Sequence, residues 1–202
     1  MCPKKSGWVA LSAPLALAAT IAIGAARQIS QAHGDTLARK IDAIAQNAAA
    51  EPAKPQKTAV SELEVNSYLH FNLREKIPPG LTDPQISLLE NGNVSGRVFV
   101  DIDEFKRHRG SGGVMDPLSY ISGRVPVTAR GVLRTRDGTG RFQLASAEMH
   151  GVPLPKPIVQ ELVSFFSRTP ESPDGFNLDA PFNLPAKIRE IVVNQGQARV
   201  VQ

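Results

Sequence analysis

The stretch RVPVTARGVLRTRDGTGRFQLASAEM, residues 124–149, decides the fold class. Its first half alternates apolar and polar residues with a period of two, which predicts a β-strand with one apolar face. Asp137-Gly138 is typical of a two-residue hairpin turn. The second half predicts a partner strand, with apolar positions at Phe142, Leu144, Ala145, Ala147 and Met149. Both strands exceed the usual five or six residues, so we expect a long, strongly twisted hairpin.

The opposite face of this hairpin is rich in arginine. It carries Arg124, Arg130, Arg134 and Arg136, with Arg141 across the turn. One interpretation is an ordinary solvated sheet face, whose charges discourage aggregation between strand edges. The other is a surface that attracts anionic lipid headgroups, to which each basic side chain near a membrane contributes about 1 kcal/mol. On the second interpretation Arg124, Arg130, Arg134 and Arg136 are the predicted headgroup contacts.

Upstream of the hairpin, the sequence predicts a helix followed by two more strands. The helix begins at the capping box Ser61-Glu62-Leu63-Glu64. It ends at Ile77-Pro78-Pro79-Gly80, because proline disfavours helical geometry in the residue before it. A strand over 85–90, an Asn91-Gly92 turn and an alternating strand over 93–103 follow. Residues 104–123 break the pattern with a basic run and a glycine cluster, and we expect a mobile excursion there.

The last third of the chain predicts a helix, a loop and a final hairpin. Proline at position 157 suits the first turn of a helix. That helix is apolar over more than half its circumference, through Ile158, Val159, Leu162, Val163, Phe165 and Phe166. Residues 188–193 and 198–201 form the hairpin. The order of elements predicts an α+β fold: a long, twisted antiparallel sheet curled around two apolar helices, preceded by an N-terminal signal or anchor helix.

The N-terminal residues predict export. Lys4 and Lys5 precede GWVALSAPLALAATIAIGAA, residues 7–26, which contains no charge. This is the pattern of a secretory signal, and it is also long enough to cross a bilayer as an uncleaved anchor. We therefore expect residues 1–33 to be a signal peptide or anchor, 34–58 a stalk helix with a proline-rich linker, and 59–202 a sheet-rich domain. The expected location is the periplasm or the extracytoplasmic face of the membrane.

Charge and cysteine content narrow the classes of partner. The net charge of the 202 residues is +4, but Lys4 and Lys5 supply two of these charges. The nearly balanced remainder has little of the phosphate attraction that drives nucleic-acid binding, so no nucleic acid is expected. The single cysteine, Cys2, excludes an intramolecular disulfide. An exported domain without disulfides fits a bacterial envelope best.

The sequence carries no recognisable catalytic, cofactor or metal motif. His33, His70, His108 and His150 lie at spacings that would not place two imidazoles on one metal. Neither a nucleophile elbow nor a phosphate-binding glycine loop is present. Asp101, Asp103 and Glu104 are close in sequence, but they lack the further ligands of a calcium loop and are interpreted as a solvated strand end. We expect a protein that is not an enzyme and uses no cofactor.

Two stretches give the chain a resemblance to a known family. The helix opening SELEVNSYL, residues 61–69, and the closing pattern Ile188-x-x-Ile191-x-Val193-x-x-Gly196-x-x-x-Val200 resemble bacterial envelope proteins of the tubular lipid-binding superfamily, including the mycobacterial LmeA type. The resemblance covers residues 61–202. It implies a non-enzymatic protein that holds a lipid between a curved sheet and a helix. The excursion at 104–123 has no counterpart in that pattern.

Two functions are compatible with these observations. The first is an envelope protein that binds or shuttles a lipid or another apolar molecule in a groove lined by Leu69, Leu162, Phe165 and Phe166. The apolar surplus of residues 157–166 beside a membrane supports it, although an ordinary core would also use these side chains. The alternative is a structural or assembly factor that docks another envelope protein through a sheet edge or the 104–123 loop.

Overall fold

The computed structural model describes residues 28–109 and 120–202. The predicted signal or anchor, as far as residue 27, and the middle of the 104–123 excursion lie outside these described residues. Within the described ranges, no helix combines the length and apolar character needed to cross a membrane. The described chain folds as an α+β structure with a large antiparallel sheet and four α-helices, which confirms the coarse fold class.

The large sheet is built around the predicted hairpin. Its strands are β2 (Leu81–Leu88), β3 (Asn93–Asp101), β4 (Arg124–Arg136), β5 (Thr139–Met149) and the short β6 (Val152–Pro153), antiparallel and in that spatial order. The short strand β7 (Phe182–Asn183) also pairs with β5. Asp137 and Gly138 connect β4 to β5 with φ of 50° and 81°, the positive values that a two-residue hairpin turn requires. The predicted hairpin is confirmed.

A β-bulge in the hairpin changes which residues of β5 reach the core. Arg130 pairs with Ser146, whereas Gly131 pairs with Leu144, so Ala145 is the extra residue. Leu144 and Ala147 therefore both lie on the core face although their spacing is odd. Ala145 itself is exposed, so of the apolar residues predicted in this strand it is the one that does not face the core.

Two helices cover one face of the large sheet. Helix α4 (Lys156–Phe166) spans the segment predicted as apolar, and its Ile158, Val159 and Leu162 are buried against the sheet. Helix α3 (Ile102–Arg109) was not predicted: the residues expected to end a strand and begin a loop turn into a helix at Ile102. The carboxylate of Asp101 accepts the Glu104 backbone N–H at 3.0 Å, as a helix-capping residue does. Ile102 and Phe105 of α3 are among the most buried side chains.

A second, three-stranded sheet was not predicted. Its strands β1 (Lys57–Ser61), β9 (Gln197–Val201) and β8 (Glu190–Asn194) lie in that order, all antiparallel. The expected final hairpin forms β8 and β9. Residues 57 and 58, assigned to the linker, instead pair with Val201 and Val200. The single sheet of the prediction is therefore corrected to a large and a small sheet.

The helix predicted as a stalk packs against the folded domain. Helix α1 (Gln31–Ala49) contacts α2 (Glu62–Ser67) and the π-helical turn Tyr68–Asn72 that follows α2. Leu37 and Ile44 of α1 are buried. The Ser30 backbone N–H donates to Ser67 Oγ at 3.2 Å, which fixes the start of the helix. These contacts correct the prediction of a projecting stalk, because Leu37 and Ile44 of α1 are covered by the rest of the chain, although Ile41 of the same helix is exposed.

An ion pair joins α1 to the predicted capping box. Ser61 and Glu64 make both reciprocal bonds of the box, which confirms it. Lys40 Nζ lies 2.7 Å from the buried Glu64 carboxylate. Burial raises the pKa of Glu64, but the hydrogen bonds from Lys40 and from the Ser61 backbone outweigh burial and hold the pKa below its ordinary value. The ionised Glu64 thus stabilises the contact between α1 and the domain.

Candidate anion-binding face

The arginines of the hairpin share the face of the large sheet that α3 and α4 leave uncovered. Alternation along β4 places Arg124, Arg130, Arg134 and Arg136 opposite to the buried Val125 and Val127. All four arginines are exposed. Strand pairing adds two more from the neighbouring strands, Arg97 of β3 and Arg141 of β5. We call this surface, with its six arginines, the basic face.

Two of these arginines oppose each other directly. Arg134 and Arg141 are paired residues in the β4–β5 ladder, so their Cβ atoms are about 5 Å apart on the same face. Among the described residues, neither has a carboxylate oxygen within 4 Å. Arg136 lies 3.4 Å from Asp137, but both side chains are largely exposed, so this pair contributes little. Like charges placed directly opposite each other destabilise a sheet. The repulsion between Arg134 and Arg141 therefore lowers the stability of the hairpin slightly, and the fold does not need this pair of charges in order to form.

A cleft opens where the tip of the hairpin meets strand β8. Its volume is about 710 Å³. The cleft is lined by Arg134, Arg136, Arg141 and Thr139 of the hairpin, by β8 from Glu190 to Asn194, and by Asn91. Glu190 is the one carboxylate among these lining residues. Arginine can present two parallel N–H groups to the oxygens of a phosphate or carboxylate, so this wall of the cleft suits an anion.

A second basic cleft adjoins the first on the small sheet. It has a volume of about 690 Å³ and shares Arg136 with its neighbour. Its other basic side chains are Lys57, Arg189 and Arg199, and its acidic ones are Asp137 and Glu190. Lys57 and Arg199 lie on the same outward face of the small sheet because β1 and β9 pair in antiparallel register. The basic surface is thus continuous across the two sheets.

The four predicted headgroup contacts lie in three places on the molecule. Arg134 and Arg136 line the cleft, while Arg130 lies midway along the basic face between Ser95 and Ser146. Arg124 is at the far end of β4, where it donates a hydrogen bond to Thr82 and lines a separate pocket with His70 and Arg74.

Sequence reasoning missed three basic side chains of this surface. Lys57 and Arg199 lie in the small sheet, which was not predicted, and Arg189 immediately precedes its strand β8. Lys57 was assigned to a linker. The outward alternation of 197–201 was the available signal for Arg199. No pattern in the sequence indicates that the small sheet lies beside the hairpin tip.

The residues predicted to line an apolar groove contribute to the packed core. Leu162 is 5% exposed and lies in the main core cluster. Phe165 and Phe166 are half-buried against that cluster, with ring centroids 5.2 and 6.2 Å from the Phe105 ring. Leu69 is on the π-helical turn that packs against α1, away from the helix that carries the other three. Burial of Ile158, Val159 and Leu162 accounts for much of the apolar character of α4, and an apolar ligand at Leu69, Leu162, Phe165 and Phe166 stays a prediction.

The acidic residues considered for calcium have structural partners. Asp101 caps α3, and the Asp103 carboxylate accepts the Gly123 backbone N–H at 2.8 Å. Within residues 28–109 and 120–202, no group of three or more histidine, cysteine, aspartate or glutamate side chains is arranged to hold a metal ion.

One edge of the large sheet is covered by its own chain. The Asn66 side chain donates to Ile86 O at 2.8 Å and accepts the Ile86 N–H at 2.7 Å, as a neighbouring strand would. The Glu62 carboxylate accepts the Leu88 N–H at 2.7 Å. Helix α2 therefore occupies the outer edge of β2, and a partner that adds a strand would have to displace it.

Comparison with protein-family models and with curated proteins identifies no relative of this chain. The chain matches no protein-family model, and no curated protein is significantly similar to it.

Proposed function

We propose that the protein is a non-enzymatic component of a bacterial envelope that binds anionic membrane lipid through the basic face. The observation that carries the proposal is the directly opposed pair Arg134 and Arg141, which has no carboxylate partner in the described part of the chain. An arrangement that costs stability and is not neutralised internally suits an external anion.

The magnitude of the attraction fits a membrane surface. Each basic side chain close to an anionic bilayer contributes about 1 kcal/mol, so the four arginines of β4 together with Arg141 would contribute about 5 kcal/mol before the costs of association. This attraction acts within about one Debye length, roughly 8 Å at physiological salt. Binding should therefore be reversible and should weaken strongly as salt is added.

In this mode of binding the protein contacts the headgroup of the lipid and does not enclose its acyl chain. Leu162, Phe165 and Phe166 already stabilise the core between α3 and α4. The export pattern of residues 1–33 remains a prediction, and it supports the proposal by placing the basic face beside a bilayer. The docking of a protein partner through the 104–123 loop also remains a prediction.

Arginine footprinting on vesicles tests the proposal. The full chain is added to vesicles of phosphatidylcholine or of phosphatidylcholine with phosphatidylglycerol, and phenylglyoxal modification of each arginine is followed by mass spectrometry. We expect phosphatidylglycerol to slow the modification of Arg130, Arg134 and Arg141 several-fold. About 1 M salt, where the Debye length is about 3 Å, should remove the protection.

Arg168 is the internal control. It is exposed at the end of α4, where it stacks on Phe165, and should react equally on both kinds of vesicle. Equal modification of the basic face on the two vesicles would contradict the proposal. Equal or stronger protection by a short DNA duplex would also contradict it, because the face would then be a general polyanion surface.

A further inference from the structure

We infer that the cleft between the hairpin tip and β8 is a seat for a single phosphomonoester group. The inference rests on the proposed function and deepens it: the rest of the basic face attracts an anionic surface, and this cleft selects one kind of headgroup.

The charges of the lining residues match that ligand. Among the residues that line the cleft, Arg134, Arg136 and Arg141 contribute three positive charges and Glu190 contributes one negative charge. Asp137, 3.4 Å from Arg136, lines the adjoining cleft and is largely exposed, so it screens Arg136 only weakly. The net charge of +2 equals that of a phosphomonoester in magnitude, because its second ionisation near pH 6 leaves a charge of about −1.5 to −2 at pH 7. A phosphodiester, with a single negative charge, would leave one arginine charge uncompensated.

The donors of the cleft also suit a tetrahedral anion. Arg134 and Arg141 approach from two neighbouring strands, and Arg136 lies two residues further along β4 on the same face. Thr139, Asn91 and Asn194, residues whose side chains carry hydrogen-bond donors, line the same cleft. Its volume of about 710 Å³ falls in the range of small-molecule sites, so it can hold a phosphate together with the group that carries it.

The two walls of the cleft are held at a fixed separation. The Thr135 hydroxyl donates to Ile191 O at 3.0 Å and accepts the Ile191 N–H at 2.7 Å, so one side chain bonds both backbone groups of that β8 residue. The Gly138 N–H donates to Arg189 O at 2.9 Å at the hairpin turn. A site whose walls are already in place loses less conformational freedom on binding.

Soluble ligands test the seat without a membrane. Glycerol 3-phosphate, a phosphomonoester, and glycerophosphoglycerol, a phosphodiester, are titrated into the full chain, and arginine side-chain N–H resonances are followed by NMR. We expect saturable shifts at Arg134, Arg136 and Arg141 with glycerol 3-phosphate. Glycerophosphoglycerol should bind at least about tenfold more weakly, because it offers one charge fewer to the arginines.

Matched variants separate the seat from the rest of the basic face. Arg134→Gln and Arg141→Gln should each lower the affinity for glycerol 3-phosphate by about tenfold to a hundredfold, the effect of one charge-assisted hydrogen bond. Arg130→Gln removes the same charge outside the cleft and should change that affinity less than about twofold. Thr135→Val keeps every charge but removes the hydroxyl that bridges the walls, and should weaken binding about tenfold.

The outcomes distinguish the inference from the function on which it rests. Protection on phosphatidylglycerol vesicles without saturable binding of glycerol 3-phosphate would overturn the seat and leave the proposed function intact. Glycerol 3-phosphate binding that depends on Arg134 and Arg141, without protection on phosphatidylglycerol or phosphatidic acid vesicles, would support the seat for a soluble phosphomonoester and overturn the proposed function. Equal loss of affinity in Arg130→Gln and Arg141→Gln would also overturn the seat.

Discussion

Replacement of Asn66 by alanine tests how the edge of the large sheet is protected. Asn66 makes two hydrogen bonds to Ile86, and each is worth about 0.5–1.5 kcal/mol net of solvation. The side chain lies in α2, where alanine has the higher helix propensity and returns about 0.5 kcal/mol. The difference predicts that Asn66→Ala lowers the free energy of unfolding by about 1.5 kcal/mol.

Urea denaturation of the full chain, followed by circular dichroism, measures this loss. Asn93→Ala is the matched control, because the Asn93 amide donates a single exposed bond to Glu90 O and should cost less than about 0.5 kcal/mol. Asn66→Asp should lie between the wild type and the alanine variant, since a carboxylate can still accept the Ile86 N–H but cannot donate to its carbonyl.

Loss of the side chain should also expose the edge of β2 to other chains. The backbone groups of Ile86 would then be available to a second copy, and we expect concentration-dependent association in sedimentation experiments. If Asn66→Ala unfolds at the same urea concentration as Asn93→Ala and stays monomeric, the edge-covering role assigned to α2 is wrong.

Three further substitutions test the packing of the fold. Leu162→Ala should lower the free energy of unfolding by about 2–5 kcal/mol because it leaves a cavity in the core, whereas Val152→Ala, at a side chain 60% exposed, should change it by less than about 0.5 kcal/mol in the same urea titration. Gly34→Ala would place a Cβ 2.2 Å from Asn72 Oδ1 and 3.2 Å from the Ser67 backbone oxygen, a crowding that should cost about 1–3 kcal/mol. The helix propensity of alanine offsets about 1 kcal/mol of this cost, so we expect a lower melting temperature in thermal unfolding, and an unchanged or higher one would mean that α1 is not held this closely. Glu64 has a pKa below its ordinary value of 4.5, so its ionised form stabilises the fold above that value, and this stability is lost as the pH falls through the lowered pKa. Glu64→Gln should therefore be less stable at neutral pH and lose less stability on acidification, and parallel pH profiles for the two proteins would contradict this.

The elements that could be predicted are those whose signal is local in the sequence. The β4–β5 hairpin follows from alternation and from Asp137-Gly138, and the capping box marks the start of α2. The arginines of β4 could be placed on one face for the same reason. The bulge at Ala145 could not be predicted, because it depends on how β5 pairs with β4.

The remaining features depend on contacts between distant segments. Lys57 pairs with Val201 in the small sheet, and nothing near either residue indicates the other. Leu37 and Ile44 give α1 an apolar side, but the sequence pattern would be the same whether that side packed against a partner or against the chain's own domain. Local sequence patterns also did not indicate that β8 forms the second wall of the cleft. Half of the candidate site could thus be predicted from the hairpin, and the other half required the tertiary structure.

The pairing of β1 with β9 has a consequence for the order in which the fold forms. Val60 of β1 pairs with Ala198 of β9, and β9 in turn holds β8 through the register Val200 to Ile191. The β4–β5 hairpin can form early in folding because its contacts are local in sequence. The pairing of β1 with β9 joins segments more than a hundred residues apart, so its contacts form more slowly. The wall that β8 contributes to the cleft is therefore among the last parts to take shape. The cleft is complete only when residues 57–61 and 197–201, far apart in sequence, have paired with each other.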